Sequence, residues 1–234
     1  MPAPRSAAGS RRRIVHLRLW CRSWQVGRSV GRETTSNAGW FPRPDYHAAV
    51  AHPLVDQLRF TRSEWLRALD GIPEADGVKR LQPMNSIGWI VSHLAWHEQL
   101  SFLTRLQDVT PVPAANEHGV NGEPASTPPL SQVLATWRAV VTASDPVLDT
   151  LDTPALEAWL PQTRQPQTRT VGSTVQRVTY HYWFHIGEII SIRQILGHSD
   201  VPEFVGDIDG EAPYRPEPLP GVRVMAEAAP VEHG

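Results

Sequence analysis

The sequence predicts an all-α protein, a four-helix bundle with long crossover connections, and three observations carry that reading. Four segments repeat apolar residues at 3-4 spacing, which gathers them on one face of a helix. No segment shows the strict apolar-polar alternation of a half-buried strand. Two of the gaps between helical segments, 108–129 and 152–170, are polar and punctuated by Pro. Gaps of that length let the chain cross between helices that are not antiparallel neighbours.

The first helix is expected from about Val50, with Leu54, Leu58, Trp65 and Leu69 on one side and Asp56, Arg59, Arg62 and Arg67 elsewhere. Gly71 and Pro73 stop it. The second begins at Asn85 or Ser86, either of which can cap the free amides, and runs to about Gln107. Its stripe reads Ile90, His93, Leu94, His97, Leu100, Leu103. The third starts near Leu130 and carries Val133, Leu134, Trp137, Val140 and Val141. Pro146 has no amide and crowds the preceding turn, so a kink or restart is expected at Asp145-Pro146. The fourth has the clearest pattern. Ser173 and Gln176 read as a capping box, Val175, Val178, Tyr182, His185, Ile189, Ile192 and Leu196 keep one face, and Gly197 is a fitting stop.

Around these helices the chain divides into three parts. Residues 1–46 are expected to form a poorly ordered, Arg-rich head without a sustained period, 47–200 the helical bundle, and 201–234 a Pro-rich tail that drapes over the bundle or is disordered. The head resembles an organelle transit peptide, and a translation start called too far upstream produces the same picture. Residues 1–32 contain eight of the 22 basic residues and no acidic one, which leaves 14 basic against 24 acidic residues for the rest. A body with a formal charge of about −10 lacks the basic face that phosphate backbones require, so nucleic acid is not expected as a partner. The single cysteine, Cys21, cannot form an internal disulfide. No apolar run approaches the roughly 20 residues needed to cross a bilayer. A cytoplasmic protein with no membrane partner is therefore expected.

The histidines carry the chemistry. His181 and His185 are four apart on the fourth helix, hence one turn apart on one face, and His93 and His97 repeat that spacing on the second. A lone core histidine is ordinarily a hydrogen-bonded core residue, and a single H-x-x-x-H arises by chance on many helices. Two core-facing pairs on different helices carry more weight. Each buried imidazole nitrogen left without a partner costs about 1–3 kcal/mol, and a shared metal ion removes that cost. Three neutral imidazoles leave the charge of a divalent ion intact and one coordination position open, a strong Lewis acid toward bound water or thiol. Zinc suits such a site, and nickel, cobalt or ferrous iron bind the same ligands. Glu188 and Glu98 are the nearest carboxylates. Glu188 has three open roles: a hydrogen bond to a ligand imidazole, a metal ligand, or, by default, a solvated side chain. Tyr182, Trp183, Trp89 and Trp96 are expected to be packing residues.

Two segments resemble the DinB-like superfamily of four-helix metalloproteins, also called DinB/YfiT-like metalloenzymes. Asn85 to Glu98, NSIGWIVSHLAWHE, is similar to that family's second helix, where a conserved histidine precedes a leucine, at His93 here. Residues 178–190, VTYHYWFHIGEII, are similar to its fourth-helix segment, whose two histidines fall at His181 and His185. The likeness covers about Pro53 to Leu196. It implies the metal ligands His93, His181 and His185, with zinc or nickel as the ion. His97 has no counterpart and becomes a supporting or packing residue, or a substitute ligand if His93 points away. The resemblance further implies a homodimer and a small-molecule substrate. It also implies a metal-dependent transfer of a low-molecular-weight thiol of the mycothiol or bacillithiol type to a small electrophile. A metal-hydroxide hydrolase and a non-catalytic metal-binding stress or interaction protein are the alternatives.

Overall fold

A computed structural model describes residues 51–161, 169–203 and 205–215. The expected Arg-rich head, 1–46, and the part of the tail beyond 215 lie outside the described residues. The described chain is all-α, with no strand and a single isolated bridge between Trp159 and Thr170. Four long helices supply the body: α1 (Pro53–Leu69), α2 (Ile87–Glu98), α3 (Leu130–Leu148) and α4 (Val171–Ile195). Helix α1 lies chiefly against α4 and α2 against α3, while α2 also meets α4 and so brings the two histidine pairs together. They share one core, in which Leu58, Trp65, Ile90, Leu94, Val140, Val178, Tyr182 and Ile189 are fully buried.

The helix starts follow local chemistry. Pro53 occupies the first turn of α1, where its missing amide costs nothing, and the His52 Nδ1 accepts from the Leu54 amide at 3.1 Å. Ser86 caps α2 by accepting from the Trp89 amide at 3.1 Å. The capping box of α4 is displaced from the expected Ser173/Gln176 pair. It is formed by Thr170 and Ser173, whose hydroxyls each accept the other's backbone amide at 3.1 Å. Starting three residues sooner buries Val171 against the core. Helix α3 is not restarted at Asp145-Pro146. It runs through Pro146 to Leu148, because the proline falls in the last turn and the buried Ser144 and Leu148 hold that turn in place.

The second helix departs from the straight α-helix expected to Gln107. After Glu98 it widens into a π turn, Gln99–Thr104, before a last α turn, Arg105–Gln107. The wider turn shifts the buried face: Gln99, Ser101, Phe102 and Leu103 face inward, and Leu100, expected in the stripe, is only half-buried. The buried Gln99 amide then grips the following connection, accepting from the Val112 amide at 2.9 Å and donating to the Val112 carbonyl at 3.0 Å. Ser92 donates to the His118 carbonyl at 2.8 Å, so the connection is laid down along α2. At Gly119, with φ +69°, an added Cβ would meet the His93 backbone nitrogen at 2.4 Å. Only glycine allows the chain to pass there.

Within the tail, residues 205–215 drape over α1. The Gly206 amide donates to Glu64 at 2.9 Å, Gln57 donates to the Ala212 carbonyl at 2.8 Å, and Arg215 pairs with Asp56.

Arg62 is the main correction to the first helix. Expected off the apolar side, it is 5% exposed and ion-paired with the fully buried Glu98. Ser144 donates to Glu98 at 2.8 Å, Tyr182 donates to it as well, and the Trp137 indole donates to the Tyr182 oxygen at 2.6 Å. Burial pulls the Arg62 guanidinium down, but the charges of Glu98, Tyr182 and Asp145 and the hydrogen bond to Glu98 together more than offset this, and its pKa lies above the ordinary value. Burial, followed by the Glu98 charge, pushes the Tyr182 phenol well above its ordinary range and keeps it a donor.

Candidate metal centre

Helices α2 and α4 bring His93, His181 and His185 to one point. A nitrogen from each ring lies within 4.8 Å of the other two. The Nε2 of His181 is 3.3 Å from the Nε2 of His93 and 3.1 Å from the Nε2 of His185. His93 and His185 are 8% and 5% exposed, and His181 is half-buried.

The outer ring nitrogens decide how these atoms face one another. His93 Nδ1 lies 2.7 Å from the Gly119 carbonyl, which can only accept, so Nδ1 carries the hydrogen. His185 Nδ1 donates in the same way to the Glu188 carboxylate at 2.8 Å. His181 Nδ1 is 3.1 Å from the Nδ1 of His97. In the neutral tautomers so fixed, the Nε2 atoms of His93 and His185 both present lone pairs. One Nε2 hydrogen on His181 can serve only one of them. A cation serves all three.

The spacing agrees with such an ion. Zinc–nitrogen bonds of about 2.0–2.1 Å at tetrahedral angles put ligand nitrogens about 3.3 Å apart. Polar groups that hold the outer nitrogen of each ligand imidazole are the usual companions of a metal site. The donor set therefore fits a divalent ion.

Electrostatics keep the rings available. Burial, partly offset by the Gly119 carbonyl, lowers the His93 pKa. Burial and then the neighbouring histidines, His97 first, push His181 down to about 3. Burial, then His93 and three arginines, push His97 down to about 4. Aromatic rings cover His93: Trp89 stacks on it with centroids 4.7 Å apart and planes 11° apart, and Trp96 lies 5.5 Å from the same ring, while the exposed Phe184 meets His185 edge-on at 5.1 Å. Beside His181 and His97 a cleft of about 560 Å³ opens, lined also by Ser173, Gln176, Arg177 and Tyr180.

Residues 57–189 match the model of the DinB superfamily. The chain belongs to the DinB superfamily. No curated protein matched in the corresponding comparison. In this DinB-superfamily chain the matched stretch includes the three converging histidines and stops short of the tail.

Sequence reasoning named these three histidines, and the structure brings all three together. His97 is not beside the other Nε2 atoms; it supports His181 from behind. The default of a solvated Glu188 is overturned, because a carboxylate one turn from a buried imidazole nitrogen completes its hydrogen bond instead. Trp89 and Trp96 do pack, but against a site ring. The Gly119 carbonyl was missed, and only the glycine in a polar loop marked the place. The Arg62–Glu98–Tyr182 network was missed too, although Arg62 falls on the Leu58, Trp65, Leu69 stripe at 4-3-4 spacing.

Proposed function

We propose that this protein is a metal-dependent enzyme that adds a low-molecular-weight thiol to a small electrophile. In this reading the Nε2 atoms of His93, His181 and His185 hold one divalent ion, zinc or nickel. The observation that carries it is the convergence of three Nε2 atoms whose opposite ring nitrogens are already engaged, at the edge of a cleft sized for a small molecule. An ion bound there supplies Lewis acidity, which lowers the pKa of a thiol and raises the thiolate fraction at neutral pH.

The chain's own groups do the rest. Gly119 and Glu188 fix the tautomers and ring planes of His93 and His185. Trp89 and Trp96 cover the His93 side of the site, and the cleft at His181 gives access to it.

The test is metal analysis of protein purified without a histidine tag, joined to an assay of thiol consumption with an electrophile. Wild type should carry one ion per chain, and His93→Ala and His185→Ala should lose most of it together with thiol addition. Thiol addition that persists in fully metal-free protein overturns the reading. Turnover that needs no thiol points to hydrolysis, and tightly held metal with no reaction points to a non-catalytic metal-binding protein. If only His97→Ala loses metal, the ligand from α2 is the other histidine.

A further inference from the structure

The cleft beside His181 is bordered by positive charge that no described residue neutralises. Arg177 lines it, and among the described residues no lining side chain is acidic. Arg105, at the end of the second helix, and Arg169, just before α4, are close enough for their charges to act on His97 together with that of Arg177. They also act on one another: after burial, Arg177 and Arg105 are what hold the Arg169 guanidinium below its ordinary value. Among the described residues these three side chains make no ion pair and no hydrogen bond. By contrast Arg59, Arg62, Arg67, Arg193 and Arg215 each pair with a carboxylate. Beyond residue 32 the chain carries 24 acidic residues against 14 basic ones, so composition does not explain three arginines together without a partner.

Like charges gathered around a concave site raise the local potential and the concentration of anions there. The guanidinium fork matches the two oxygens of a carboxylate or phosphate, and Gln176 and Tyr180 add neutral hydrogen-bonding groups on the same wall. We infer that this cleft binds the anionic group, a carboxylate or phosphate, of a small molecule presented to the three-histidine centre, with Arg177 making the contact and Arg105 and Arg169 supplying the field. The inference rests on the reading of that centre as facing substrate.

Titration calorimetry on the full chain tests it, with inorganic phosphate, succinate and uncharged succinamide as probes, each against metal-free and metal-loaded protein. At least one anion should bind both forms, more weakly at higher salt, and succinamide should not bind. Affinity should fall about tenfold in Arg177→Gln and further in Arg105→Gln/Arg177→Gln, with metal content and melting temperature unchanged. Tighter phosphate identifies a phosphate site and tighter succinate a carboxylate site. Unchanged affinity in the double variant, binding of succinamide equal to succinate, or no anion binding to either form overturns the inference. The failures separate cleanly. Wild type without bound metal but with arginine-dependent anion binding removes the reading of the centre and leaves the cleft; the reverse removes the cleft alone.

Discussion

Glu188 illustrates how one side chain sets the state of the site. Its carboxylate accepts a hydrogen bond from His185 Nδ1 at 2.8 Å and so commits the other nitrogen to face His181. Glu188→Ala leaves that ring free to turn and should weaken zinc affinity about 10- to 100-fold, measured by competition with a chelator of known affinity. Acid should act on the metal-free protein through the depressed histidines. His181 and His97 sit near 3 and 4 in the folded chain, with burial the foremost cause, against 6.5 ordinarily. Between those values the unfolded chain binds more protons than the folded one, so stability is full above about 6.5 and falls as pH drops toward 4 and then 3. Denaturant midpoints of metal-free protein across that window should show the fall, and His97→Gln should make it shallower. At this scale the spacing of the histidines was legible, since i, i+4 positions on a helix must share a face. The orientation of His93 was not, because its partner is a backbone carbonyl 26 residues away that no side chain announces.

At the scale of elements, Glu98 links three helices: Arg62 from α1, Ser144 from α3 and Tyr182 from α4 all donate to it. A charge this deep is tolerated only while every partner is present. Glu98→Ala should cost about 3–5 kcal/mol in chemical denaturation, since it leaves the buried Arg62 guanidinium with the partly exposed Asp145 as its one carboxylate partner. Replacing both, as Arg62→Met/Glu98→Gln, should cost less than Glu98→Ala alone. Element positions were readable because apolar spacing reports burial directly. Their details were not. The π turn at Gln99–Thr104 depends on how the 108–129 connection packs against α2, a tertiary matter. The Thr170/Ser173 box satisfies the same capping chemistry as the Ser173/Gln176 pair, and local sequence does not choose between them.

Across the whole molecule, charge and family likeness divide the chain in different places. The family match ends at residue 189, yet the segment 205–215 lies along α1 and holds Asp56, Gln57 and Glu64. The tail was expected either to drape or to be disordered. Its polar partners on α1 decide for draping over the described stretch, a choice that a segment without period could not announce. The stacking of Trp89 and Trp96 on His93 has an optical consequence. Their indole emission is coupled to whatever occupies the far nitrogen of that imidazole. Cobalt or nickel, with partly filled d shells, should quench the emission as it is titrated in, whereas zinc, with its shell filled, should leave it bright. Trp89→Phe/Trp96→Phe should remove most of the difference, so that a fluorimeter can follow occupancy before any substrate is known.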